Sequence, residues 1–193
     1  MSDVLEIRWH GRGGQGAKTA ALLFGEAALD TGKFIQAFPE YGPERMGAPV
    51  VAFNRLADEA IRSHSGIKEP SVVVVLDPSL FEPAHVTDGL KDGGILLVNT
   101  PDAPDELRKR FSVPASIKVY TVDASRIAIE TVGKDVPNTP LLGALVKVTG
   151  VLRFEPMMES IKHKLEAKFR GGKEKFIEGN LASVRRAYEE VRG

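Results

Sequence analysis

The chain contains no cysteine. It can form no disulfide, offer no thiol nucleophile and ligate no iron–sulfur cluster through thiolates. Any cluster its function needs must sit on another chain. An excess of charge of one sign is also missing: 26 Lys+Arg balance 26 Asp+Glu. Sequence-independent nucleic-acid binders carry a basic excess, so no nucleic-acid partner is expected. No apolar run approaches the roughly 18 residues that span a bilayer, so no membrane partner is expected either. Met1-Ser2-Asp3 lacks the basic-then-apolar start of a signal peptide, and the expected compartment is the cytoplasm. Repeats and low-complexity linkers are lacking. At 193 residues a single domain over 1–193 is expected, with 154–193 as its helical C-terminal part and Gly171-Gly172 as the only plausible hinge. His64, His85 and His163 have no ligand spacing to one another or to carboxylates, so no metal site is expected. No Ser–His–Asp order, carboxylate pair or nucleophile elbow is present, and no catalytic residue is assigned.

What is there is organised around a glycine-rich turn, His10-Gly11-Arg12-Gly13-Gly14-Gln15-Gly16. It follows a short apolar strand, Val4 to Trp9. It leads into a helix from Gln15 to Thr31 with Ala17, Ala20, Ala21, Phe24, Ala27 and Ala28 at helical spacing. A strand that turns through glycines into a helix leaves the first backbone N–H groups exposed. Together with the helix dipole they suit an anion, often a phosphate. The spacing Gly11-x-Gly13-x-x-Gly16, with Glu40 at the end of the next strand, also satisfies a dinucleotide fingerprint. Two features weaken it: Glu40 follows Pro39 inside an irregular loop, and the chain then returns as a hairpin instead of continuing a βαβ pattern. A Walker loop fails because Lys18-Thr19 comes one residue too late. The plainest alternative is that the glycines only let the helix approach the strand.

Phe34 to Phe38 reads as the second strand. The stretch from Pro39 to Pro49 follows, with three prolines and two glycines that rule out regular structure. It places Tyr41, Gly42, Pro43, Glu44, Arg45, Met46 and Gly47 on a stiffened loop suited to a ligand or partner. Val50 to Leu56 is a third strand, with Asp58-Glu59 turning into a short strand at Ala60 to Arg62. Val72 to Leu76 and Ile95 to Val98 read as strands buried on both faces, with Lys118 to Val122 beyond them. Asp77-Pro78 reads as the cap and first position of a helix, Asp105 to Phe111 as a short helix, and Asp123 as the cap of another through about Val132. Asn138-Thr139-Pro140 opens a buried helix from Leu141 to Thr149, where Asn138 and Thr139 could also line a site. Two amphipathic helices close the chain. The expected fold is α/β: a three-layer sandwich with a mixed, mostly parallel sheet flanked by helices, the C-terminal helices packed on the same core.

Three stretches together, H-G-R-G-G-Q-G (His10 to Gly16), Q-A-F-P-E-Y-G-P-E-R-M-G-A-P (Gln36 to Pro49) and N-T-P-L-L-G-A (Asn138 to Ala144), resemble the gamma subunits of 2-oxoacid:ferredoxin oxidoreductases. The likeness is to the pyruvate/ketoisovalerate group, of pyruvate:ferredoxin oxidoreductase type, and runs from about Leu5 to the last helix. Such complexes decarboxylate a 2-oxoacid oxidatively, form an acyl-coenzyme A and pass two electrons to ferredoxin. The resemblance implies alpha, beta and delta partner subunits, with ferredoxin as acceptor of the complex. It implies thiamine pyrophosphate, Mg2+ and iron–sulfur clusters on the partners, coenzyme A as co-substrate, and no cofactor bound by this chain alone. An isolated chain is then expected to be inactive.

Three readings of the chain's own role stay open. In the first it helps hold coenzyme A through Arg12, Gly13, Gly14, Gln15, Gly16 and Lys18, with Arg12, Lys18 or Arg45 as counter-charges. In the second it is purely structural and docks through Tyr41 to Pro49. In the third it is a free-standing dinucleotide-dependent oxidoreductase built on Gly11, Gly13, Gly16 and Glu40.

Overall fold

The computed structural model describes residues 4–40, 46–63, 65–169 and 173–193. Tyr41 to Arg45, His64 and the Gly171-Gly172 hinge lie outside the described residues.

The strands are β1 (Leu5–Arg12), β2 (Phe34–Pro39), β3 (Pro49–Ala57), β4 (Val72–Val75), β5 (Ile95–Asn99) and β6 (Lys118–Val122). The helices are α1 (Ala17–Asp30), α2 (Pro104–Arg110), α3 (Ala124–Val132), α4 (Asn138–Thr149), α5 (Phe154–Lys168) and α6 (Glu174–Glu190). The strands form one six-stranded sheet in the order β2-β3-β1-β4-β5-β6. β1, β4, β5 and β6 run parallel, whereas β3 is antiparallel to both β1 and β2. The sheet is thus mixed and mostly parallel, as the sequence predicts.

The two faces are covered unequally. Ile7 and Trp9 on β1, Val72 and Val74 on β4 and Leu97 on β5 pack with α1, α4, α5 and α6 in the larger core cluster. Alanines at 20, 21, 27 and 28 let α1 lie close to the sheet, and Phe24 meets the Trp9 ring edge-on at 6.3 Å. The opposite face, with Val73, Val75, Leu96, Val98 and Val119, is covered by the single turn Pro78–Leu80, Phe81, Val86 and Leu107 of α2. The four valines of β4 are buried on both faces, which is why that stretch carries no polar–apolar alternation.

Two helix packings rely on missing side chains. A Cβ at Gly143 of α4 would overlap the Val184 carbonyl of α6, and one at Gly179 of α6 would overlap the Thr131 carbonyl of α3. Both crossings bring backbone against side-chain-free backbone.

Local signals mislead at two points. Ala60 to Arg62 form no strand. The hairpin is β2–β3 instead, and Arg55 of β3 donates to the Ser65 carbonyl at 2.6 Å, so side chains rather than a ladder satisfy the following loop. The helix expected after Asp77-Pro78 is one 3-10 turn, Pro78–Leu80, with Asp77 as its cap.

Candidate functional site

The glycine turn stands at the carboxyl end of β1, where that strand meets β4 in parallel. The chain leaves β1 toward β2 on one side and later reaches β4 on the other. In open α/β sheets the crevice at such a reversal, outside the carboxyl ends of the strands, is where ligands bind.

Backbone pairing of β1 with β3 continues past its last strand residue. Arg12 is opposite Pro49, the Gly13 N–H donates to the Ala48 carbonyl at 2.8 Å, and the Gly47 N–H donates to the Gly13 carbonyl at 3.1 Å. The turn and the end of the Pro39–Pro49 loop, far apart in sequence, are therefore zipped into one structure. Gly14 and Gly16 hold φ of 99° and 82°, the left-handed region that favours glycine. A Cβ on Gly14 would lie 3.0 Å from Met46 Sδ, and one on Gly16 would lie 2.6 Å from Asn138 Nδ2. The turn, Met46-Gly47 and the first residue of α4 thus converge. Met46 is 89% exposed, whereas Thr139 is buried.

The turn is held by a polar clasp. Gln15 Oε1 accepts from the Arg12 N–H at 2.8 Å, and Gln15 Nε2 donates to Asp77 Oδ2 at 3.0 Å. Arg12 Nε pairs with the same Asp77 Oδ2 at 3.1 Å, its Nη2 donates to Ser79 Oγ at 2.8 Å, and its Nη1 donates to the Gly47 carbonyl at 3.0 Å. Asp77 Oδ1 accepts from the Ser79 N–H at 2.9 Å and from the Ser79 hydroxyl at 2.6 Å. Burial alone would raise the Asp77 carboxyl, but hydrogen bonds from Ser79 and Gln15 and the Arg12 charge outweigh it and hold the carboxyl below the usual range.

These partners revise the expectation that the N–H groups of Gly13 to Gly16 are open to a ligand. Those of Gly13 and Gln15 are engaged, the former with the Ala48 carbonyl and the latter with the Arg12 carbonyl at 3.0 Å. The first turn of α1 differs: its N-cap is Gly16, which has no side chain to cap it. Lys18 lies in that turn. Asp77 and Ser79 were not legible as site residues. The Asp-Pro cap signal was visible, but not that it would land beside Arg12.

Glu40 does not stand next to the turn. β3 lies between β1 and β2, so the end of β2 is two strand spacings, roughly 10 Å, from β1. A dinucleotide site needs its acidic residue on the strand adjacent to the glycine strand, and that reading built on Gly11, Gly13, Gly16 and Glu40 fails.

Behind the turn, Arg8 and His10 are buried on the sheet face away from α1. Arg8 Nε donates to His10 Nε2 at 2.9 Å, and its Nη2 donates to the Val86 and Asp88 carbonyls at 3.0 and 2.6 Å. His10 is thus neutral, with its proton on Nδ1, which has no partner among the described residues. Burial, reinforced by the Arg8 charge, lowers His10 to about 3. Arg8 is itself lowered by burial, against the charges of Asp88 and Glu40.

Among the described residues no group of three or more His, Asp or Glu could hold a metal ion, and no helix is long and apolar enough to cross a membrane.

The arrangement matches a known family over nearly its full length. The family model described as pyruvate ferredoxin/flavodoxin oxidoreductase matches residues 6–190. The chain is 48% identical over 187 residues to the pyruvate synthase subunit PorC of Thermotoga maritima, covering 97% of this chain and 94% of the relative. It is 47% identical over 189 residues to the pyruvate/ketoisovalerate oxidoreductases common subunit gamma of Thermococcus litoralis, covering 97% of each. The crystal structure of pyruvate oxidoreductase subunit PORC from Thermotoga maritima superposes with a TM-score of 0.83 at 46% identity, over 98% of this chain and 97% of that one. Matched along nearly its whole length, the chain belongs to the pyruvate ferredoxin/flavodoxin oxidoreductase family.

Proposed function

We propose that this chain is the gamma subunit of a 2-oxoacid:ferredoxin oxidoreductase of pyruvate synthase type, and that its glycine turn holds coenzyme A. The complex converts pyruvate, coenzyme A and oxidised ferredoxin to acetyl-coenzyme A, carbon dioxide and reduced ferredoxin. Alpha, beta and delta chains are its partners in the cytoplasm. A chain without cysteine, and without a three-ligand acidic or histidine cluster among the described residues, does not fit an iron–sulfur cluster or a thiamine-bound Mg2+. Those groups belong on the partners, and no redox step is assigned to residues of this chain.

The observation that carries the coenzyme A reading is the uncapped start of α1 at the carboxyl-end crevice, beside Asn138. Backbone donors and the positive end of a 14-residue helix meet there, which suits a phosphate of the coenzyme. Arg45 and Lys18 supply counter-charge, and Met46 and Gly47 form the rim. Arg12 shapes the turn, because its guanidinium is already matched by Asp77.

In the assembled enzyme, Arg45→Ala raises the apparent KM for coenzyme A and leaves the KM for the 2-oxoacid in place. Loss of assembly alone, with an unchanged KM for coenzyme A in the complex that does form, makes Tyr41 to Pro49 a docking element and removes the ligand role.

A further inference from the structure

We infer that Asp77 is a positioning residue, which fixes the glycine turn in its ligand-holding shape by gripping Arg12 and Gln15 across the crevice between β1 and β4. This rests on the proposed coenzyme A site and adds to it a residue more than 60 positions away in sequence from the turn it holds, Asp77 being 65 residues from Arg12 and 62 from Gln15.

The two oxygens of Asp77 do separate work. Oδ1 serves its own segment: it accepts from the Ser79 N–H and hydroxyl and caps the turn Pro78–Leu80. Oδ2 faces the other strand and accepts from Arg12 Nε at 3.1 Å and from Gln15 Nε2 at 3.0 Å. Gln15 returns the grip through its own Oε1, which holds the Arg12 N–H. A carboxylate that only capped a 3-10 turn would not need the second pair. Through them the end of β4 sets where the β1 backbone bends and therefore where α1 begins. The charge match has a second effect. With Arg12 paired inside the clasp, the guanidinium is held on Asp77, Ser79 and the Gly47 carbonyl rather than over the helix start.

Asp77→Asn separates the two roles. The amide oxygen can still accept from Ser79, so the cap survives, while an NH2 group faces the Arg12 and Gln15 donors and cannot accept from either. In the assembled enzyme, we expect Asp77→Asn to raise the apparent KM for coenzyme A about tenfold, the effect of losing a charge-assisted hydrogen bond. kcat, the KM for the 2-oxoacid and the thermal midpoint stay near the parent values. Gly16→Ala is measured alongside, because it places a Cβ at a left-handed φ of 82° and against Asn138. If Gly16→Ala raises the KM for coenzyme A and Asp77→Asn does not, Asp77 is a cap only and the inference is wrong. If neither variant moves it, the coenzyme A site itself is misplaced. If Asp77→Asn lowers kcat and both KM values change together with the thermal midpoint, the residue acts on the fold at large and the inference is again overturned.

Discussion

Replacing Gly143 with alanine tests the packing that builds this molecule. Alanine is the better helix former by about 1 kcal/mol, so in an isolated helix the change would stabilise. Here α4 crosses α6 backbone to backbone. The new Cβ would overlap the Val184 carbonyl, and would sit 2.8 Å from the Val184 carbonyl carbon and 3.2 Å from the Tyr188 nitrogen. None of these atoms can swing aside as a side chain could, so the helices must separate. Val184 and Ala187 of α6 and Leu142 and Leu145 of α4 are fully buried, and separation loosens their contacts. Overpacking of this kind costs about 1–3 kcal/mol, and the upper part of that range applies where backbone has to move. Subtracting the propensity gain leaves a loss of about 2 kcal/mol, which for a chain of this size lowers Tm by about 4–8 °C. Guanidinium denaturation followed by circular dichroism measures it. Gly66→Ala is the control, since a Cβ there meets nothing within 4 Å, and its effect should stay within about 0.5 kcal/mol. A Gly143→Ala chain as stable as the parent, or more stable, would refute the close α4–α6 crossing.

Two further outcomes follow from buried polar groups. Asn54 is fully buried, accepts from Trp9 Nε1 at 2.7 Å and donates to the Ala21 carbonyl at 2.9 Å. Asn54→Ala strands the indole N–H and leaves a small cavity, for a loss of about 3 kcal/mol. The emission of Trp9, the only tryptophan in the chain, should shift with it, and an unchanged spectrum and midpoint count against the bond. Burial, reinforced by the Arg8 charge, lowers His10 from its ordinary 6.5 to about 3 in the folded chain. As pH falls below 6.5 the unfolded chain binds a proton there that the native state refuses. Stability is therefore full above that pH and falls toward pH 3, by about 1.4 kcal/mol per unit. His10→Gln can still accept from Arg8 and does not titrate, so its loss of stability between pH 7 and pH 5 should be smaller by about 2 kcal/mol. Parallel pH profiles for the two proteins would show that this imidazole is not held neutral.

Patterns carried by neighbouring residues were legible in the chain. The valines of β4 announce a strand covered on both faces, the alanines of α1 a helix pressed on a sheet, and the apolar stretch after Asn138 a buried helix. Together they specify the α/β class, and the glycine turn stands out because its left-handed positions admit little else. The tertiary structure alone decided the rest. Insertion of β3 between β1 and β2 moved Glu40 away from the turn, and no local pattern encodes strand order, because order is chosen by the summed burial of whole faces. The strand expected at Ala60 to Arg62 fails for a related reason: Arg55 supplies a hydrogen bond to the following loop that a ladder would otherwise have given. Likewise Asp77 became part of the site only when β4 docked beside β1, bringing a capping carboxylate within 3.1 Å of a guanidinium 65 residues away. Such contacts depend on geometry across the fold, and a one-dimensional pattern carries no trace of them.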